Sequence, residues 1–194
     1  MARLTLGLAL VTLLCAADAA AQIGSTPRVE IAGGYSYVRS RTVTSLGFNM
    51  HGGSGSVAVN VNDWLGLVAD IGHQTTGNVP PPGSGFTLNT TSYLFGPRIS
   101  YRRERVTLFA HELLGGSHAG GTLYTQGFQQ TSAPPSAQNS FAMALGGGVD
   151  YNITRRFAIR TVQADWLYTL FPNGAANRQS SLRLTFGVVF RFGG

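Results

Sequence analysis

Between Ser181 and Phe192 the chain reads SLRLTFGVVFRF, and every even position carries a bulky apolar side chain: Leu182, Leu184, Phe186, Val188, Phe190 and Phe192. The odd positions are Ser181, Arg183, Thr185, Gly187, Val189 and Arg191, mostly small or polar. A repeat of two sends alternate side chains to opposite faces of a strand. Six large apolar residues on one face exceed what a small soluble sheet needs. The pattern predicts a wall whose outer side meets hydrocarbon.

The alternation recurs along the chain and predicts eight strands, at 29–38, 53–61, 64–74, 90–102, 106–117, 139–151, 157–170 and 181–192. Their connections alternate in length. Long polar loops fall at 39–49, 75–89, 119–138 and 171–179, and tight turns at Asn62-Asp63, 102–105 and 152–155. The run Pro80-Pro81-Pro82-Gly83 excludes a central strand from the second long loop. Alternating long and short connections are the layout of an up-and-down membrane barrel.

The two faces differ in volume. Tyr93, Phe95, Ile99 and Tyr101 share one side of the fourth strand, while Gly96, Arg98 and Ser100 share the other. The sixth strand opposes Phe141, Met143, Leu145 and Val149 to Ser140, Ala142, Ala144 and Gly148. An eight-stranded cylinder has an interior only wide enough for side chains. Bulky residues turned inward would overfill it and leave a glycine-rich exterior, so the large face is expected outside and the small one in the lumen. Trp64, Trp166 and the tyrosines near strand ends suit interfacial girdles.

The N-terminus reads as a targeting segment. Arg3, an apolar run over 4–14 and the small residues ending in Ala19-Ala20-Ala21 make a secretory signal peptide at 1–21, cleaved before Gln22. A short segment, 22–28, then precedes a barrel at 29–192. The single cysteine, Cys15, lies within the signal, behind a Leu14 too bulky for a lipoprotein site, so no disulfide is expected. Beyond the signal there is no 18-residue apolar run for a transmembrane helix. A membrane-spanning chain of this kind must close into a barrel, because helices and closed barrels alone satisfy their backbone in lipid.

The segment Thr185-x-Gly187-x-x-Phe190-x-Phe192 resembles the C-terminal insertion signal of bacterial outer-membrane barrels, with Gly193 and Gly194 added where such chains usually end on the aromatic. With its strand count and pattern over 29–192, the chain resembles the OmpA-like family of small eight-stranded outer-membrane barrels. The resemblance implies an integral outer-membrane protein of the cell envelope, recognised through Thr185, Gly187, Phe190 and Phe192 by the barrel-assembly machinery. It also implies a lumen plugged by ion pairs, and partners that include outer-membrane lipids.

The expected interior polar set is Glu30, Asn60, Asp70, Arg98, Glu112, Asp150, Gln163, Asp165, Arg183 and Arg191. In a narrow tube these groups must pair or hold water. Strand one neighbours strand eight at closure, which favours Glu30 with Arg191 or Arg183. The fifth strand is ambiguous. Its His111 and Glu112 point opposite ways, and the greater cost of burying a carboxylate in hydrocarbon places Glu112 inside. In the seventh strand Thr161, Gln163 and Asp165 are expected inside. That turns Arg160 outward, snorkelling to headgroups, unless a bulge shifts the register.

Two functional readings follow: a structural or surface protein that meets the outside through its long loops, and a narrow, porin-like pore along the interior polar set. An enzyme is not expected, because neither His51 with Ser54 nor His118 with Ser117 shares a strand face. A lipid-modifying activity is the weakest alternative. No metal-ligand cluster, phosphate loop or cofactor motif is visible. The net charge of +6 does not gather around a recognition element, so no nucleic acid is expected. The basic turns at Arg102, Arg103, Arg105, Arg155 and Arg156 suit either solvent or anionic headgroups.

Overall fold

A computed structural model of the chain describes residues 26–41, 47–77, 79, 85–122, 137–171 and 178–193. The expected signal segment, 1–21, lies outside them. Eight antiparallel strands follow one another around a closed barrel: β1 Val29–Arg41, β2 Gly47–Asn60, β3 Leu65–Thr76, β4 Leu88–Arg102, β5 Val106–Gly120, β6 Ala137–Asn152, β7 Phe157–Thr169 and β8 Gln179–Phe192. β1 and β8 seal the seam, with Val29 opposite Phe192 and Arg39 opposite Leu182.

Several strands run further toward the long-loop end than the alternation of apolar residues suggests. Residues 39–41 and 47–49, expected in a loop, continue the β1–β2 ladder. Arg39, Ser40 and Asn49 there are polar but still alternate in exposure, and Asn49 Oδ1 accepts from Tyr37 Oη at 2.9 Å and from Arg39 Nη1 at 2.6 Å. The hairpin thus extends past its apolar section, which a reading based on apolar residues truncates. The turns at the other end close tightly, Val61 and Asn62 both donating to the Leu65 carbonyl.

Paired residues followed around the wall from Val29 pass through Val59, Leu67 and Pro97, resume at Glu112, and return through Leu145, Trp166 and Leu182 to Arg39. The path therefore climbs from position 29 to position 39 of β1 in one circuit. That stagger tilts the strands and sets a bore that side chains can fill. The outward face carries the bulk, with Phe95 56%, Leu145 52% and Phe190 49% exposed, while Arg183 and Asp150 are fully buried in the tube. The faces are as the volume argument requires.

At the seam Gly34 lies opposite Gly187, and a Cβ on either would overlap the backbone of the partner strand. Glycine is needed there for close approach. Inside the long-loop end an apolar collar forms from Val38, Met50, Val79, Leu88, Ala119 and Phe171. Below it polar side chains share the bore with two further buried apolar clusters, one of Ala58, Val68, Leu94, Leu113, Ala142 and Ala144 and one of Ala32, Ala158 and Val189.

Candidate functional site

The polar lumen is assembled from all eight strands. At the short-turn end Glu30 of β1 is a hub. Its Oε1 accepts from Asn60 Nδ2 at 2.9 Å and Arg102 Nη2 at 2.7 Å, and lies 2.8 Å from Arg98 Nη2. Arg191 Nε stands 3.6 Å from the other carboxylate oxygen. Arg191 also donates to Asn152 Oδ1 at 2.7 Å and Thr107 Oγ1 at 3.3 Å, and its Nη2 is 4.0 Å from Asp150.

Asp150 passes the chain of charge upward. Arg160 grips it through Nε at 2.9 Å and Nη2 at 3.2 Å, a two-pronged geometry that only a guanidinium provides. The third nitrogen of Arg160 donates to Gln163 Oε1 at 2.8 Å, and Gln163 donates in turn to Asp165 Oδ2 at 2.8 Å. Asp165 also accepts from Arg183 Nε at 2.9 Å and meets His111 Nε2 at 2.8 Å. Arg183 completes the series by donating to Asp70 Oδ1 at 2.8 Å. Phe109 lies between two cations, with Arg160 Cζ 4.5 Å and Arg98 Cζ 5.6 Å from its ring centroid. Aromatic faces attract such cations by their quadrupole.

Nine of the ten expected interior residues line this network: Glu30, Asn60, Asp70, Arg98, Asp150, Gln163, Asp165, Arg183 and Arg191. The pairing of Glu30 with Arg191 is present, whereas Arg183 turns to Asp70 and Asp165 instead. Glu112 requires correction. It is exposed on the outer wall with Leu108, Ala110 and Leu114, while Phe109, His111 and Leu113 face the lumen. Weighing the two side chains in isolation omitted what each meets across the bore, and His111 meets a carboxylate.

Arg160 and Thr161 are the second correction. The register of β7 shifts between Arg160 and Gln163, a bulge that turns Arg160 inward and Thr161 outward. The bulge was one of the two expected alternatives. Arg102, read as a turn residue, also reaches into the lumen. Charge balance is the signal that locates Glu112 and Arg160. The expected set held five carboxylates against three arginines. The buried set holds four of each: Glu30, Asp70, Asp150 and Asp165 with Arg98, Arg160, Arg183 and Arg191.

A cavity of about 10 Å³ borders Asp70, Arg160, Gln163 and Thr185, room for roughly one water. Chemically the lumen is a plug: charges neutralise one another and little open space remains. His51, His73 and His118 stand on the outer wall instead, meeting Tyr35, Thr91 and Asn139. Ser117 is buried on the opposite face from His118. Of the C-terminal motif, Thr185 faces the lumen, Gly187 sits at the seam, and Phe190 and Phe192 project outward.

A family model described as an outer membrane protein beta-barrel domain matches residues 6–192. No curated protein sequence matches the chain. Among solved structures, the fold is similar to Ail, the attachment invasion locus protein of Yersinia pestis, at 19% identity, covering 86% of this chain and 99% of that one with a TM-score of 0.58. It is similar also to Neisserial surface protein A, at 16% identity, 84% and 97% coverage and a TM-score of 0.60. OprG from Pseudomonas aeruginosa aligns at 11% identity, with 87% and 97% coverage and a TM-score of 0.53.

Proposed function

The chain belongs to the outer membrane protein beta-barrel domain family, and on that premise we propose that it is a non-conducting scaffold of the outer membrane whose long-loop end faces the exterior and meets an outside partner there. Residues 1–21 act as the signal that carries it across the inner membrane. The C-terminal motif, through Thr185, Gly187, Phe190 and Phe192, delivers it to the barrel-assembly machinery. No catalytic role is assigned to it.

The observation that carries the reading is the series of ion pairs and hydrogen bonds from Glu30 through Arg191, Asp150, Arg160, Gln163, Asp165 and Arg183 to Asp70. A solute path needs polar groups that are free to exchange partners with what passes. Here the groups hold each other, and the apolar collar lies between them and the long-loop end. Basic turns at the opposite end suit the anionic inner leaflet.

The test is conductance in a planar bilayer. Purified protein is expected to insert without giving unitary current steps, and regular steps at neutral pH would establish a narrow pore instead. Fractionation provides the companion check: the protein is expected in outer membranes, and recovery from the soluble periplasm would contradict the placement.

A further inference from the structure

Glu112 is left over from the plug. It stands midway along β5, exposed on the outer wall, with no hydrogen-bond or ion-pair partner among the described residues. Leu145 lies directly across on β6, and Ala110 and Leu114 flank it on its own strand. Phe95 and Pro97 of β4 are exposed on the other side. Among the described strands it is the one carboxylate on that face. An ionisable group in hydrocarbon that lacks a partner is costly, and marks a functional surface rather than idle wall.

Two constraints select the partner. Every copy of a barrel enters the membrane in the same orientation, so two copies meet about an axis along the membrane normal and present identical patches. A residue on that axis meets itself at the same depth. A neutral carboxyl is at once donor and acceptor, so two copies of Glu112 satisfy each other. The residues around it are low as well: Ala110, Pro97 and Gly147 leave a shallow part of the wall ringed by Phe95, Leu114 and Leu145. Small residues allow two walls to approach until short side chains touch.

We propose that the wall around Glu112 is the two-fold interface of a homodimer, in which the Glu112 carboxyls of the two copies hydrogen-bond to each other. The inference rests on the membrane placement argued above and adds a partner to it, a second copy of this chain.

Cysteine cross-linking in native outer membranes tests it, in a Cys15→Ser background. Ala110→Cys, beside the proposed axis, is expected to give disulfide-linked dimers on mild oxidation, and Ile31→Cys, across the barrel on β1, is expected to give none. Adding Glu112→Leu to Ala110→Cys is expected to lower the cross-linked fraction roughly tenfold. Glu112→Gln, whose carboxamide is likewise donor and acceptor, is expected to restore most of it. Equal cross-linking from the two cysteine positions overturns the proposal, as does an Ala110→Cys adduct to a different protein, or a Glu112→Leu variant that cross-links undiminished. Heat-modifiable migration and membrane fractionation of each variant report the barrel itself. A folded, membrane-bound, monomeric protein refutes the dimer alone, and a soluble one refutes the membrane reading.

Discussion

Arg183 shows most directly what the lumen asks of a single side chain. It is fully buried between Asp70 and Asp165, holding both. Removing one member of a buried ion set leaves uncompensated charge, at a cost of about 3–5 kcal/mol. Arg183→Met is therefore expected to lower the free energy of urea unfolding from vesicles by about 3–5 kcal/mol, followed by tryptophan fluorescence. Asp70→Asn combined with Arg183→Met is expected to cost less than the sum of the two single changes, because it removes charge from both sides of the pair. Arg103, whose guanidinium lies over the exposed Tyr101 ring at 5.0 Å, is a contrast: Arg103→Ala is expected to change the same free energy by less than about 0.5 kcal/mol.

Strands bring a different kind of information, because a one-residue slip inverts every side chain beyond it. The bulge in β7 is such a slip, built in. Thr161 donates to the Val149 carbonyl at 2.9 Å and absorbs the extra residue. Deleting Thr161 removes that extra residue and lets β7 alternate regularly through Arg160, Val162 and Gln163, so the folded band on an unboiled gel is expected to remain. Deleting Ala164, outside the bulge, is expected to turn Asp165 toward lipid and abolish that band. Gly187→Val is expected to block closure against Gly34 by the same assay. Where one face was bulky and the other small, as in β4, β6 and β8, alternation alone revealed which way each residue points. β5 defeated it because Leu108 and Leu114 on one side match Phe109 and Leu113 on the other. β7 left two registers open, because Arg160 stands out of phase with Gln163 and Asp165 and either snorkelling or a bulge accommodates that. Partners across the bore decide both, and they come from distant parts of the chain: His111 meets Asp165 and Arg160 meets Asp150.

At the scale of the whole molecule the fold is inverted relative to a soluble protein: aromatic and aliphatic bulk outside, ion pairs within. Urea-unfolded protein is expected to regain β-sheet circular dichroism and heat-modifiable migration on dilution into phospholipid vesicles and not into plain buffer. Recovery in buffer would contradict the inverted arrangement. The ion pairs have a mechanical consequence too. Several join strands that are not neighbours: Arg98 on β4 with Glu30 on β1, Arg183 on β8 with Asp70 on β3, Arg191 on β8 with Asp150 on β6. They cross the section like the spokes of a wheel. A bilayer that squeezes the rim must stretch them, so this cylinder resists becoming oval where an empty one of the same girth would yield.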